Sequence, residues 1–425
     1  MPVSAKLAGY LKIIPVLLVW PAQVLLAQTH MELTPSLSIQ GQYDDNIYLD
    51  PSNEQSDYLA MVRPGWTFSL VSRHTHLDLA YSPTFVRYNK EKNNNTTRHS
   101  GTLTFGQDIS RHFHLDLSDT YTKSEEPLEE TEGIEGARNS RNTYQRNAGY
   151  AGLQLLFGPG NTLTAGYRHE YLENKDDTVD DGNTQTPFAD LMVHLNEKNA
   201  VALNYEYTKA NFSRETGVAE DDYVGHAIGC TYIYNFTRHA SGNAGYVLTT
   251  REFDGSSEDY RVHHGSIGFE EMFSPTLSAS MSVGYFVVDN EESGNDDGYS
   301  YDALISKQFA HGHIDIGGEG GWDESYLEAE SRGFSKYWSV NTAIEYRFLE
   351  PLTGYASGSY RHDKDESDQK WETMRARCGL RWDFLQWYAL SVEYTYAERD
   401  DDVDTEDYRD NSVSLFFTAA RLFRW

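Results

Sequence analysis

Cysteine is almost absent from this 425-residue chain, which holds only Cys230 and Cys378. Both fall on the apolar parity of alternating segments that are not neighbours. They read as small apolar residues, and neither a disulfide nor a metal site is expected. Basic residues are scarce beside acidic ones, 35 against 65, giving a formal charge of −30. That balance excludes nucleic acid as a partner, which calls for a basic patch. Long apolar runs are also missing. Beyond residue 27 no stretch supplies the roughly 20 apolar residues that a spanning helix needs. Catalytic signatures are absent too: there is no HExxH, no paired CxxC, no Walker loop and no GxSxG. His74, His112, His114, His239, His263, His264, His311 and His313 form no pattern with a serine and an acid. Most sit at or beside short turns, which reads as a membrane interface where histidine and arginine meet headgroups. Acidic pairs abound, but nothing selects a glycosidase-like pair. The chain is therefore expected not to be an enzyme and to need no cofactor.

What the chain does have is tyrosine (30 residues), glycine (33 residues) and alternation. Val413, Leu415, Phe417, Ala419, Phe423 and Trp425 fall on one face of an extended C-terminal strand, and Ser412, Ser414, Thr418 and Ala420 fall mostly on the other. A bare amphipathic edge invites aggregation in water. A closed barrel has no such edge and turns its apolar face to lipid. Phe423 and Trp425 then serve as the assembly signal for the barrel-insertion machinery, with Arg421 interrupting its apolar positions. Residues 1–27 read as a secretory signal: Lys6 and Lys12 precede a short apolar run, and Ala27 precedes the polar Gln28. Residues 28–425 are left as one barrel domain without an N-terminal plug, because the first strand starts within a few residues of the cleavage point.

A hairpin unit repeats along the chain. Short turns recur at Arg73-His74, Arg111-His112, Pro159-Gly160, Glu197-Lys198, Arg238-His239, Pro275-Thr276, His311-Gly312, Glu350-Pro351 and Leu385-Gln386, mostly 35 to 41 residues apart. Phe157, Phe236, Phe273, Phe309, Phe348 and Phe384 lead into turns and form an aromatic girdle there. Long polar loops alternate with the turns, nearly all of them acidic. Their carboxylates at Asp289 to Asp297 and Asp400 to Asp404 are oxygen ligands suited to calcium, but the spacing does not fit the twelve-residue calcium loop. They read as solvated segments kept extended by mutual repulsion. Counting hairpins predicts an all-β fold: a transmembrane antiparallel barrel of about 20 strands, with 18 as the alternative. Its short turns would be periplasmic and its long acidic loops extracellular.

Parity also assigns the inner wall. Trp371, Thr373, Arg375, Arg377, Gly379, Arg381 and Asp383 alternate with apolar neighbours, so three arginines face inward. Arg63, Arg168 and Arg347 share the inward parity of their own strands, as do Glu170, Glu206, Glu345 and Glu393. Two readings stand side by side. The arginines are cationic rungs for a passing solute, or arginine and glutamate on adjoining strands pair off and stiffen a wet interior.

The first strand ends in Tyr43-Asp44-Asp45-Asn46-Ile47, and Ser/Thr-Arg-His steps recur at Ser72, Ser110 and Thr237. With the signal and Trp425, these features resemble the β-barrel porin-2-type outer-membrane proteins over residues 28–425. The resemblance implies a Gram-negative outer membrane, with lipid, lipopolysaccharide and the barrel assembly machinery as partners. It also implies an association with exopolysaccharide or capsule export components. The expected function is a passive channel or accessory barrel in surface-polysaccharide export. The alternatives are a general small-solute porin and a non-conducting structural or adhesive surface barrel.

Overall fold

The structure is a computed structural model that describes residues 29–127, 141–291, 294–325, 333–365 and 367–425. The expected signal over 1–27 lies outside the described residues, as does most of the acidic run from Glu125 to Glu135. Twenty antiparallel strands follow one another around the wall. They are β1 His30–Asp44, β2 Asp57–Val71, β3 Thr75–Tyr88, β4 Thr96–Asp108 and β5 Phe113–Ser124. Next come β6 Tyr144–Phe157, β7 Asn161–Asn174, β8 Asp181–His194, β9 Asn199–Ser213 and β10 Tyr223–Asn235. Then follow β11 Ala240–Phe253, β12 Tyr260–Ser274, β13 Leu277–Asn290, β14 Asn295–Phe309 and β15 Gly312–Ser325. The last five are β16 Gly333–Leu349, β17 Leu352–Asp365, β18 Lys370–Phe384, β19 Tyr388–Asp401 and β20 Tyr408–Ala420. Turns of two to four residues close one end, and loops of four to nineteen residues stand at the other. Among the described residues no helix is long and apolar enough to cross a membrane.

Period-two alternation produces this wall because successive side chains on a strand point to opposite faces. Leu203 and Tyr205 on β9, Met281, Val283 and Tyr285 on β13, and Val392 and Tyr394 on β19 stand exposed on the outside. The intervening Ser, Thr, Gly, Asn and Glu face in. Such an inversion leaves an apolar outer belt around a polar interior, as lipid on one side and water on the other require. Cys230 and Cys378 are free and exposed on that belt.

The barrel closes because β1 pairs with β20 from Ser36–Ala420 to Asp44–Ser412. Arg421, flagged in the sequence as an interruption, marks a real break: β20 stops at Ala420, and pairing with β1 resumes at Phe423–Arg424. The Arg421 guanidinium instead lies over the Trp387 ring, 4.6 Å from its centre. Trp425 restores the ladder by exchanging two backbone hydrogen bonds with Met31, at 3.0 and 3.2 Å. Phe423 and Trp425 stand exposed on the outer face.

The Tyr43–Ile47 motif locks the other end of this seam. Asp45 accepts hydrogen bonds from the backbone and side-chain amides of Asn411 at 2.7 and 2.9 Å. The Asn46 amide donates to the carbonyls of Asp50 and Arg409, both at 3.0 Å, and Asp50 N–H donates back to Asn46 at 3.1 Å. Asn46 and Ile47 are fully buried. Each such bond contributes about 1 kcal/mol net, and leaving a buried partner unpaired costs more. The motif is thus a seam between the first and last strands. Tyr43 itself points outward against Tyr58, ring centres 5.0 Å apart.

The acids at the long-loop end correct the picture of loops held extended by repulsion. Asp57 and Glu125 are buried. Asp57 accepts the backbone N–H groups of Lys90 and Glu91 at 2.9 to 3.1 Å, while Glu125 is clamped by Arg98 at 2.7 Å. Arg214 likewise holds Asp180 at 2.8 Å. Backbone donors and arginines at the strand ends neutralise these acids, so they organise the loops instead of spreading them.

Candidate functional site: an off-centre polar aperture

The mouth at the long-loop end is mostly filled, from two sides. On one side, residues after β1 tuck inward. Ile47 joins Leu59, Met61, Val86 and Tyr88 in a buried cluster, with Tyr48 packed against it. Arg141 donates from Nε to the Ile47 carbonyl and from Nη1 to the Tyr88 hydroxyl, the latter at 2.8 Å.

The other side is filled by a hairpin that leaves the wall. The β14–β15 ladder ends at Tyr301–Gly320. Beyond it β14 continues with β13 up to Asn295, and β15 continues with β16 up to Ser325. A slit therefore opens between β14 and β15, and the end of the β15–β16 hairpin folds through it into the lumen. Phe334 packs with Tyr260, Val262, Phe286 and Val288, and Trp322 lies against the same cluster. Glu324 reaches across to β11, where Arg251 holds it at 2.6 Å, and Tyr260 donates to it at 2.7 Å. The opposite face of the hairpin is tied to β17 by Arg361, which holds Asp323 at 3.2 Å. Glycine makes the departure possible. A Cβ on Gly320 would sit 2.7 Å from the Tyr301 ring, closer than side chains approach.

Between these two fillings an aperture stays open against β1, β5, β6 and β16 to β20. It is a cavity of about 780 Å³. Asp44, Glu126 and Asp410 bring carboxyls to it, and Arg146, Arg375 and Arg377 bring guanidiniums. Most of the remaining lining is hydroxyl or small: Thr122, Ser124, Ser357, Ser359, Thr395 and Ser412. Asp44 and Asp410 are both buried, and Asp44 accepts the Asn46 N–H at 3.0 Å. Loss of water around Glu126 pushes its carboxyl up, but the guanidiniums of Arg141 and Arg98 outweigh this and hold it below the usual carboxylate range.

The inward residues read from parity divide into three groups. Arg375 and Arg377 line the aperture. Arg377 also approaches Glu393 at 3.9 Å, and Glu393 accepts a hydrogen bond from Tyr355 at 2.8 Å. Arg63 and Arg168 face the lumen elsewhere. Arg63 donates to Thr84 at 2.9 Å, and Arg168 reaches past β8 to Glu206 at 2.7 Å with its guanidinium 4.3 Å from the Phe188 ring centre. Glu170 follows Arg168 on the same face of β7. Arg381, Glu345 and Arg347 lie toward the short turns, away from the aperture. Arg381 donates to Asp383 at 3.0 Å, and Glu345 stands opposite His313 and Tyr355. Paired and aperture-lining arginines thus coexist on one wall.

Sequence reading missed Trp322, Glu324, Phe334 and Arg251, which narrow the mouth. The signal for them was the run Gly317-Gly318-Glu319-Gly320-Gly321, too rich in glycine for an ordinary strand. It also misplaced histidines. His114 and His313 sit beside short turns, but they point into the lumen and not to lipid headgroups, because they share the parity of Asp116 and Asp315 opposite the outward Leu115 and Ile314.

A family model described as "Putative beta-barrel porin 2" matches residues 31–185. Among curated proteins no match is found. Solved structures share the architecture at very low identity. The FrpB iron transporter from Neisseria meningitidis (F3-3 variant) aligns at TM-score 0.54 and 8% identity, covering 93% of this chain and 81% of that one. The siderophore receptor PirA from Pseudomonas aeruginosa aligns at TM-score 0.51 and 8% identity, covering 92% and 80%. OccAB4 from Acinetobacter baumannii aligns at TM-score 0.41 and 11% identity, covering 93% and 99%. By fold, the chain is a closed antiparallel β-barrel of twenty strands, an architecture similar to that of the FrpB transporter and the PirA receptor.

Proposed function

We propose that this protein is a passive channel of a Gram-negative outer membrane, admitting small polar solutes through the off-centre aperture. In this reading the short turns are periplasmic, the long loops face outside and a signal over 1–27 directs export. The observation that carries it is the 780 Å³ polar cavity left between two packed fillings. That volume suits a solute of sugar or amino-acid size. Its guanidiniums, carboxyls and hydroxyls offer polar partners along the passage. Passage of a polysaccharide, the role implied by the resemblance, additionally requires the β15–β16 hairpin to swing out of the mouth.

The test is electrical. The refolded barrel in planar bilayers is expected to give stable ohmic steps, and proteoliposomes are expected to swell in monosaccharides but not in large oligosaccharides. Insertion without conductance would overturn the channel and leave a structural barrel. Loss of surface glycan in a deletion strain, together with no swelling in any small sugar, would replace it by polysaccharide export.

A further inference from the structure

A second charged girdle lies at the opposite mouth. Four strands begin with the same step, three after a short turn and one at the start of β1: His30-Met31-Glu32, His76-Leu77-Asp78, His114-Leu115-Asp116 and His313-Ile314-Asp315. In each, the histidine and the acid are two apart, so both lie on the inner face while the apolar residue between them meets the outside. The structure joins them in pairs. His30 Nε2 lies 3.0 Å from Glu32, and His76 Nε2 is hydrogen-bonded to Asp78. His313 lies 3.9 Å from Asp315 on the far wall, beside Glu345.

His114 settles its own protonation by geometry. Its Nδ1 is 2.7 Å from Asp108 and its Nε2 is 2.9 Å from Asp116. Ionised carboxylates only accept hydrogen bonds, and a neutral imidazole has a single N–H to give. Both contacts are hydrogen bonds only when the ring carries two protons. The distances are those of charge-assisted bonds.

We infer that the imidazole–carboxylate girdle on β1, β3, β4 and β5 is a proton-titrated ion-selectivity filter at the short-turn mouth of the lumen. This rests on the channel reading above. The facing groups on each element are these. β1 carries His30 and Glu32, and Arg424 after the break in β20 holds Glu32 at 2.8 Å. β2 contributes the uncharged Ser69 opposite Glu32. The turn before β3 brings His74, 3.8 Å from Asp108, and Arg73. β3 carries His76 and Asp78, and β4 carries Asp108. The turn before β5 holds Arg111 and His112, whose Nδ1 faces the Leu156 carbonyl at 3.1 Å. β6 sets Gln154 opposite His114, with Tyr150 near Asp116.

Of the residues joined in ion pairs here, four imidazoles and one guanidinium stand against four carboxylates. With every imidazole charged, the sector is net positive. With only His114 charged, Arg73 and Arg111 of the adjoining turns balance the remaining carboxylates and it is close to neutral. Histidine is the side chain that makes this change between pH 5 and 8, so raising the pH removes the mouth's preference for anions.

The measurement is the reversal potential in a KCl gradient, with pH varied on one side at a time. The ratio of potassium to chloride permeability is expected to rise roughly three- to tenfold from pH 5 to pH 8 when the short-turn side is titrated. Titrating the long-loop side alone should change it much less. The triple variant His74→Gln, His76→Gln, His114→Gln should flatten the dependence. A ratio independent of pH on the short-turn side, in a barrel that conducts, overturns the filter and leaves the channel standing. A barrel that does not conduct overturns the channel and the filter with it; if only the triple variant fails to fold, nitrogen-15 NMR of the wild-type barrel in detergent decides. A doubly protonated His114 ring at pH 7 supports the girdle, and a singly protonated one overturns it.

Discussion

Replacing Arg375 and Arg377 together with serine is expected to make the channel markedly more cation-selective. Both guanidiniums line the aperture, across from Asp44, Glu126 and Asp410. A unit charge about 4 Å from a passing ion contributes about 1 kcal/mol even in bulk-like water, and more where the wall excludes solvent. Losing two such charges leaves the carboxyls dominant, so chloride permeability should fall about tenfold relative to potassium, because roughly 1.4 kcal/mol corresponds to a factor of ten. Screening acts over about 10 Å at 0.1 M salt, so the change should grow in dilute electrolyte. Arg381→Ser is the internal comparison: that arginine bonds Asp383 toward the short turns and does not line the aperture. It should therefore leave selectivity at the aperture nearly unchanged. An unaltered reversal potential in the double variant would take both arginines out of the permeation path.

Freeing the β15–β16 hairpin should enlarge conductance more than any change to the aperture itself. Trp322 and Phe334 seat it against Tyr260, Val262, Phe286 and Val288, and Glu324 anchors it to Arg251. Truncating a buried Phe or Trp to alanine costs about 3–5 kcal/mol. Removing one member of a largely buried ion pair costs a comparable amount, because the other charge is stranded. The variant Trp322→Ala with Phe334→Ala, or Arg251→Ala alone, should therefore release the hairpin while the barrel survives. Below Gly320 the β14–β15 ladder is intact, and β16 remains paired with β17. Severalfold larger single-channel steps and swelling in larger oligosaccharides are the expected readouts. Steps of wild-type size from a folded variant would mean that the hairpin does not limit the pore.

These two predictions differ in how visible their residues were in the chain. Arg375 and Arg377 were legible because alternation is local: Met374, Ala376 and Cys378 declare the outer face, so their neighbours must point in. The same rule fails for the hairpin. Trp322 and Phe334 sit on the parity that faces lipid lower down the same strands, where Ile316 and Ile344 are exposed outside. They are buried because the whole segment passes through the slit and turns its outer face against the inner wall of β12 and β13. No periodicity records that move, since it depends on where a ladder between two strands stops. The seam motif stands out in the chain, but its role is not legible there. Asp45 and Asn46 find their partners at Asn411 and Arg409, more than 360 residues away. The strand count and the break at Arg421 needed only turn spacing and one charged residue in an apolar series.

The central claim is a closed cylinder with an apolar outside and a wet inside. Its most direct test is the state of the purified chain lacking residues 1–27 when detergent is withdrawn. The account predicts that it folds into micelles or lipid vesicles as a β-rich, heat-modifiable species and precipitates once they are removed. A folded monomer that stays in solution in plain buffer would contradict it.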